Sequence, residues 1–213
     1  MKLLKIALVS CICFCCVSAS YAQFGELKKA LGSIAGMAEN DSTQLAESVN
    51  WKPLSKLLPE SIDGMESSDL DGGTFKSASP TNPTEQYSYS SVSKTYKQDK
   101  KKIKITIMDS GYNQLLLAPF MMTYEYDGPK GYMKSTTVNG HNAKEMVDLK
   151  GDDVKQSQLM VAVKDRVLVM FEGSGGVTMD DLKKQSDKID YGTIEKLIGE
   201  TEKNLEKSLE SKK

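Results

Sequence analysis

The most regular pattern in the chain has a period of two. In "KIKITIMD", Ile103, Ile105 and Ile107 alternate with Lys102, Lys104 and Thr106, which predicts a strand with one buried face and one wet face. The β-rich "YSYSSVSKTY" just before it predicts another. "GYMKSTTV" and "HNAKEMVDL" flank Asn139-Gly140, a pair that suits a tight hairpin because both residues tolerate positive φ. "SQLMVAV" and "VLVMFEG" flank Lys164-Asp165-Arg166 and are apolar almost throughout, as in a central hairpin covered on both sides.

From Thr178 the period changes. Thr178 and Asp181 stand three apart, as in a helix cap, and "MDDLKKQSDKI" follows. Beyond Thr193, Ile194, Leu197, Ile198, Leu205 and Leu209 recur at helical spacing with Lys and Glu opposite. "WKPLSKLLPE" predicts a short helix with Pro53 in its first turn and Pro59 at its end. Residues 63 to 84, rich in Gly, Ser, Asp and Pro, read as loop with one weak edge strand near Met65 to Leu70. "NQLLLAPFMMTYEY" reads as a helix broken at Pro119, or as one whose second helical turn starts there. The expectation is an α+β fold: a mostly antiparallel, hairpin-connected sheet of about six strands, with helices packed on one or both faces and a C-terminal amphipathic helix.

The first 22 residues belong to another pattern. Lys2 and Lys5 precede the uncharged run Ile6 to Val17, and "SASYA" places small residues at Ser20 and Ala22. This is the layout of a secretory signal peptide cleaved after Ala22. All four cysteines lie in "CICFCC" at 11 to 16, inside that leader, so the mature chain holds no thiol. The alternative is a lipoprotein anchored at Cys11 through "LVSC", with a short stretch before it. No other window is apolar enough for a membrane span. The organisation is then 1–22 signal peptide, 23–47 N-terminal helix and polar linker, 48–200 one α+β domain, and 201–213 a charged helical tail.

A formal charge of −1 over 213 residues gives no pull toward phosphates, and loss of Lys2 and Lys5 makes the mature chain more acidic still; nucleic acid is not an expected partner. The basic run "KQDKKKIK" reads as the wet face of a strand.

The succession "LPESIDGM", "SKTYKQDKKKIKITIMD", "VNGHNAKE", "VAVKDRVLVMFEG" and "KIDYGTIEKL" resembles a group of exported bacterial proteins without an assigned activity, over about residues 51 to 198. The element order is also similar to PsbP-like and DcrB-like sandwiches. Neither resemblance implies catalytic residues.

Candidate chemistry is sparse. His141, the single histidine, follows the Asn-Gly turn and reads as an exposed polar residue opening a strand. Arg166, the single arginine, reads as closing its turn, with Asp165 or a neighbour as partner. "GSGG" lacks the Lys and Ser/Thr of a phosphate loop and reads as a connector. Asp152-Asp153 and Asp180-Asp181 sit in a turn and a helix first turn, where carboxylates have structural uses. Asn40 to Ser42 and Asp41 to Thr43 are formal glycosylation triplets. No catalytic, cofactor-binding or metal-ligating residue is assigned. One apolar segment stands out, with Leu115, Leu116, Phe120, Met121 and Met122 as a candidate surface for an apolar small molecule or an envelope protein. The reading is an exported, periplasmic or secreted, non-enzymatic envelope protein with a binding or structural role. The alternative is a hydrolase that uses Asp/Glu carboxylates in a cleft.

Overall fold

A computed structural model of the chain describes residues 47–78, 86–111 and 125–210. The leader, the 23–46 segment with both glycosylation triplets, and Leu115 to Met122 lie outside the described residues. The strands are β1 (Glu66–Ser67), β2 (Asp71–Ala78), β3 (Gln86–Gln98), β4 (Lys101–Asp109), β5 (Tyr126–Gly128), β6 (Gly131–Val138), β7 (His141–Lys150), β8 (Asp153–Val163) and β9 (Val167–Ser174). The helices are α1 (Trp51–Ser55), α2 (Met179–Ser186) and α3 (Tyr191–Glu210).

All nine strands join one antiparallel sheet in the order β1-β3-β4-β9-β8-β7-β6-β5, with β2 beside β1 on the same edge of β3. The sheet is therefore larger than the six strands expected. Of the additions, β1 falls within the weak edge strand expected near Met65 to Leu70, and β5 is three residues long, too short for a period to register. The third, β2, is "DGGTFKSA". Its composition reads as loop, and cross-strand pairing with β3 from Asp71↔Ser93 to Ala78↔Gln86 makes it a strand.

Residues opposite one another across a ladder share a face, so the register sorts the side chains. Ile103, Ile105 and Ile107 of β4 stand beside Gly173, Phe171 and Val169 of β9, and Phe171 and Val169 beside Leu159 and Val161 of β8. Apart from the glycine, these side chains are at most 1% exposed. They meet Leu54 of α1, Leu182 of α2, and Ile194 and Ile198 of α3, all at 0%. This helix face is the core. Full burial of each such side chain contributes about 1.5–3 kcal/mol before entropy is counted.

Turn chemistry holds the strands in register. Asn139 and Gly140 take φ of 49 and 82, and Lys164 and Asp165 take 50 and 49, so both hairpins turn through the left-handed region. The switch from sheet to helix also has a local cause. Gly175 has φ of +71 and a Cβ there would collide with the Lys100 carbonyl, so only glycine fits. Thr178 Oγ1 then accepts from Asp181 N at 3.2 Å while an Asp181 oxygen accepts from Thr178 N at 3.0 Å, which closes the capping box that starts α2.

Candidate functional site

Three places gather the polar or adaptable groups that could carry function. The first surrounds Arg166, whose backbone N–H closes its turn by donating to Val163 O at 3.1 Å. Its side chain does something the sequence reading missed. The guanidinium is fully buried and its partner is not Asp165 but Asp109, at the far end of β4, also at 0% exposure. Nε donates to Asp109 Oδ1 at 3.0 Å and Nη2 to Oδ2 at 3.0 Å, a bidentate fork. Nη2 also donates to Glu47 O at 2.5 Å, and Nη1 to Glu202 Oε1 of α3 at 3.3 Å.

Asp109 accepts in addition from Val49 N at 2.6 Å and Gly111 N at 2.8 Å. Next to it, Ser48 Oγ bonds Ser88 and Ser90, and Ser90 bonds Thr74, all on the helix face. This clasp joins residues 47–49, the end of β4, the β8–β9 turn and α3. With the carboxylate saturated by donors and sealed from water, it is a structural device with no room for a substrate.

The second place is a shallow groove of about 530 Å³ lined by Asn139, Gly140, His141, Asp190, Tyr191 and Glu195, among others. His141 is half-buried rather than exposed, because pairing with Val138 at the start of β7 lays its ring against Tyr191, centroids 5.3 Å apart and tilted by 40°. The Tyr191 hydroxyl is bonded to Ser186 Oγ, and burial pushes its pKa up to about 12, so it is no proton shuttle near neutrality. Asp190 is committed to the start of α3. It accepts from Thr193 N at 2.9 Å and Thr193 Oγ1 at 2.7 Å, and these bonds hold its carboxyl below the usual range.

Elsewhere on the helix face, Glu145 is 1% exposed, with Lys183 Nζ 2.8 Å and Lys134 Nζ 3.5 Å from its oxygens. The Tyr132 hydroxyl donates to it at 3.4 Å, and burial first, then this carboxylate, raises the tyrosine pKa. Two lysines and a tyrosine make Glu145 a neutralised structural charge. Of the sequence candidates here, Asp181 caps α2, Asp152 lies in a turn, and "GSGG" connects β9 to α2. Among the described residues, no group of three or more His, Cys, Asp or Glu is placed to hold a metal ion.

The third place is the sheet face turned away from the helices. The register puts Met108, Met133, Met146, Met160 and Met170 on it, with Met170 beside Met160 and Met146 beside Met133. All five are half-buried. Around them, Thr106, Lys144, Gln158, Ala162 and Leu168 are between 1% and 7% exposed. The face expected to be wet along β4 is so only at Lys102; by Thr106 it is buried. Burial lowers the Lys144 pKa and raises that of Glu172, whose shift is opposed by Lys104 and Lys102. Gln158 Nε2 is buried without a hydrogen-bond partner among the described residues. Sequence reasoning saw β8 and β9 as apolar on both sides but did not single out the methionine row, whose members come from five strands.

No protein-family model matches the chain, and no curated protein matches it. Among solved structures it is similar to the extracellular domain of PknH from Mycobacterium tuberculosis, at a TM-score of 0.39 and 11% identity, over 74% of this chain and 99% of that one. Among the described residues, no helix is long and apolar enough to cross a membrane.

Proposed function

We propose that this chain is an exported, non-enzymatic envelope protein that binds an apolar small molecule or an apolar partner surface against the methionine-lined face of its sheet. The observation that carries the reading is that face: thioethers from five strands, interrupted by a buried lysine and a buried glutamine, on the side of the sheet opposite the described helices. Methionine has three flexible torsions and a polarizable sulfur, so such a face adapts to an irregular apolar body, while a few buried polar groups fix its orientation. Leu115, Leu116, Phe120, Met121 and Met122, the apolar surface proposed from the sequence, lie outside the described residues and stay a candidate contact for the same apolar ligand or partner. The leader pattern of residues 1–22 supports export, with the Cys11 anchor as the alternative form of it. Against a hydrolase stands the commitment of the described carboxylates Asp109, Glu145, Asp181 and Asp190 to ion pairs and caps.

The test is titration with an environment-sensitive apolar dye such as N-phenyl-1-naphthylamine, with native mass spectrometry of the purified mature protein alongside. One saturable site is expected, lost in Met146→Glu with the melting temperature within a few degrees of wild type. Neither saturable dye binding nor a co-purifying apolar mass in the wild type would sink the reading.

A further inference from the structure

Two buried polar atoms on the methionine face, Gln158 Nε2 and Ser135 Oγ, have no hydrogen-bond partner among the described residues. Gln158 as a whole is 1% exposed. Unmet groups of this kind are rare in a finished interior, because each has lost its hydration and gained nothing in return. An amide Nε2 can only donate, and a serine hydroxyl can donate as well as accept, so both can be met by one kind of atom, an acceptor oxygen.

The register brings the two together. Lys104, Glu172, Gln158 and Met146 stand opposite one another in turn across β4, β9, β8 and β7. In the next row, Met160 stands opposite Lys144 and Lys144 opposite Ser135. The unmet groups therefore flank β7, one from β8 and the other from β6. Two strand spacings and an offset of two residues put their Cα atoms about 12 Å apart, which a long amide side chain and a small polar head can span.

The charges set the sign of that head. From β4 to β6 these two rows hold two lysines, Lys104 and Lys144, and one glutamate, Glu172, a formal net of one positive charge. We infer that the patch around Gln158 and Ser135 is a head-group site for a long-chain carboxylate, whose oxygens accept from Gln158 Nε2 and Ser135 Oγ while its alkyl chain lies on the methionines. The two carboxylate oxygens match the two unmet donors, and a bond to an ionised acceptor is stronger than one to a neutral hydroxyl. A phosphate head would bring further negative charge beside Glu172 and more lone pairs than these donors can meet.

The inference rests on the reading of this face as an apolar site and adds what its ligand carries at one end. Its test compares three compounds with the same alkyl chain, dodecanoate, 1-dodecanol and dodecyl phosphate. Each displaces N-phenyl-1-naphthylamine from the full mature chain, below its own solubility and micelle limits. Dodecanoate is expected to act at about tenfold lower concentration than the other two, the difference between a charged and a neutral acceptor. Gln158→Leu deletes a donor that no described residue answers, so the fold is expected to survive, and the advantage of acid over alcohol to fall to about threefold or less. Ser135→Ala, a smaller change, is expected to reduce the same advantage and gives a second reading if the glutamine variant does not fold. Equal displacement by dodecanoate and dodecanol, stronger displacement by dodecyl phosphate, or an advantage that survives unchanged in the folded variants overturns the inference and leaves the apolar site standing. If neither the dye by fluorescence nor dodecanoate by calorimetry binds saturably, the apolar site itself falls, and the inference with it.

Discussion

The two faces of one sheet are built on opposite principles. On the helix face, Ile103, Ile105, Ile107, Val161, Val169 and Phe171 are stiff or bulky side chains at 0–1% exposure, packed against Leu182, Ile194 and Ile198. β-Branched residues have little rotamer freedom to lose, so such a layer packs in one way. On the other face, methionines from five strands are half-buried around Lys144, Gln158 and Glu172. Flexible thioethers give up precision and keep the capacity to repack. Stability is concentrated on one side and adaptability on the other, within strands that serve both.

The largest effects are therefore expected on the helix face and its clasp. Arg166→Ala strips the fully buried Asp109 of its only described cation and is expected to cost about 3–5 kcal/mol, read by urea unfolding at neutral pH. A loss under about 1 kcal/mol would show that the clasp is not a stabilising feature. Neighbours on β9 test the comparison directly, because Phe171 and Met170 point to opposite faces. Phe171→Ala is expected to cost about 3–5 kcal/mol and Met170→Ala no more than about 2, since the half-buried methionine leaves a gap that its flexible neighbours fill. Equal losses would erase the distinction between the faces.

How much of this was legible depended on how local its cause was. The isoleucine alternation of β4, the Asn139-Gly140 turn and the Thr178–Asp181 cap are each decided by a few adjacent residues, and each stands where the sequence puts it. The apolar runs of β8 and β9 predicted central strands, and β9 lies between β4 and β8 near the middle of the sheet. What sequence could not give was long-range. β2 is a strand because β3 pairs with it, against the loop-like composition of its own glycines and serines. Asp109 reads as the polar end of a strand, and nothing near it announces a partner 57 residues on; the one available signal was a lone arginine set between two apolar strands. The methionine row has no period because it runs across strands rather than along one. The segment from Leu115 to Met122, the one stretch singled out for binding, lies outside the described residues.

A smaller effect belongs to the margin of the helix face, where the β6–β7 turn meets the start of α3. His141→Ala removes the ring that rests on Tyr191, and an aromatic pair of this kind is worth about 0.5–1.5 kcal/mol beyond its buried area. A loss of about 1 kcal/mol is expected, more than an exposed turn residue would give and much less than the Phe171 change. If the variant unfolds at the same urea concentration as wild type, the contact with Tyr191 adds nothing and the groove is only a surface.

The subtlest test distinguishes the faces by the sign of a pH effect. Burial raises the Glu172 pKa above its ordinary value of 4.5, so the folded protein holds that proton more tightly than the unfolded chain does. The stability linked to it is fully present below about the unfolded value and is lost as pH rises through the raised one. Asp63 is the opposite case: hydrogen bonds from Lys188 and Gln185 lower its pKa below 3.8, so its contribution is present above the unfolded value and is lost as pH falls through the lowered one. Glu172→Gln is thus expected to stabilise the protein at neutral pH and to converge with wild type under acid, whereas Asp63→Asn destabilises it at neutral pH and converges likewise. Urea melts at a series of pH values check both. The Glu172 effect exists only while something keeps water from the methionine face. If Glu172→Gln changes nothing at any pH, the carboxyl is hydrated, and the second face of the sheet is open to solvent rather than sealed.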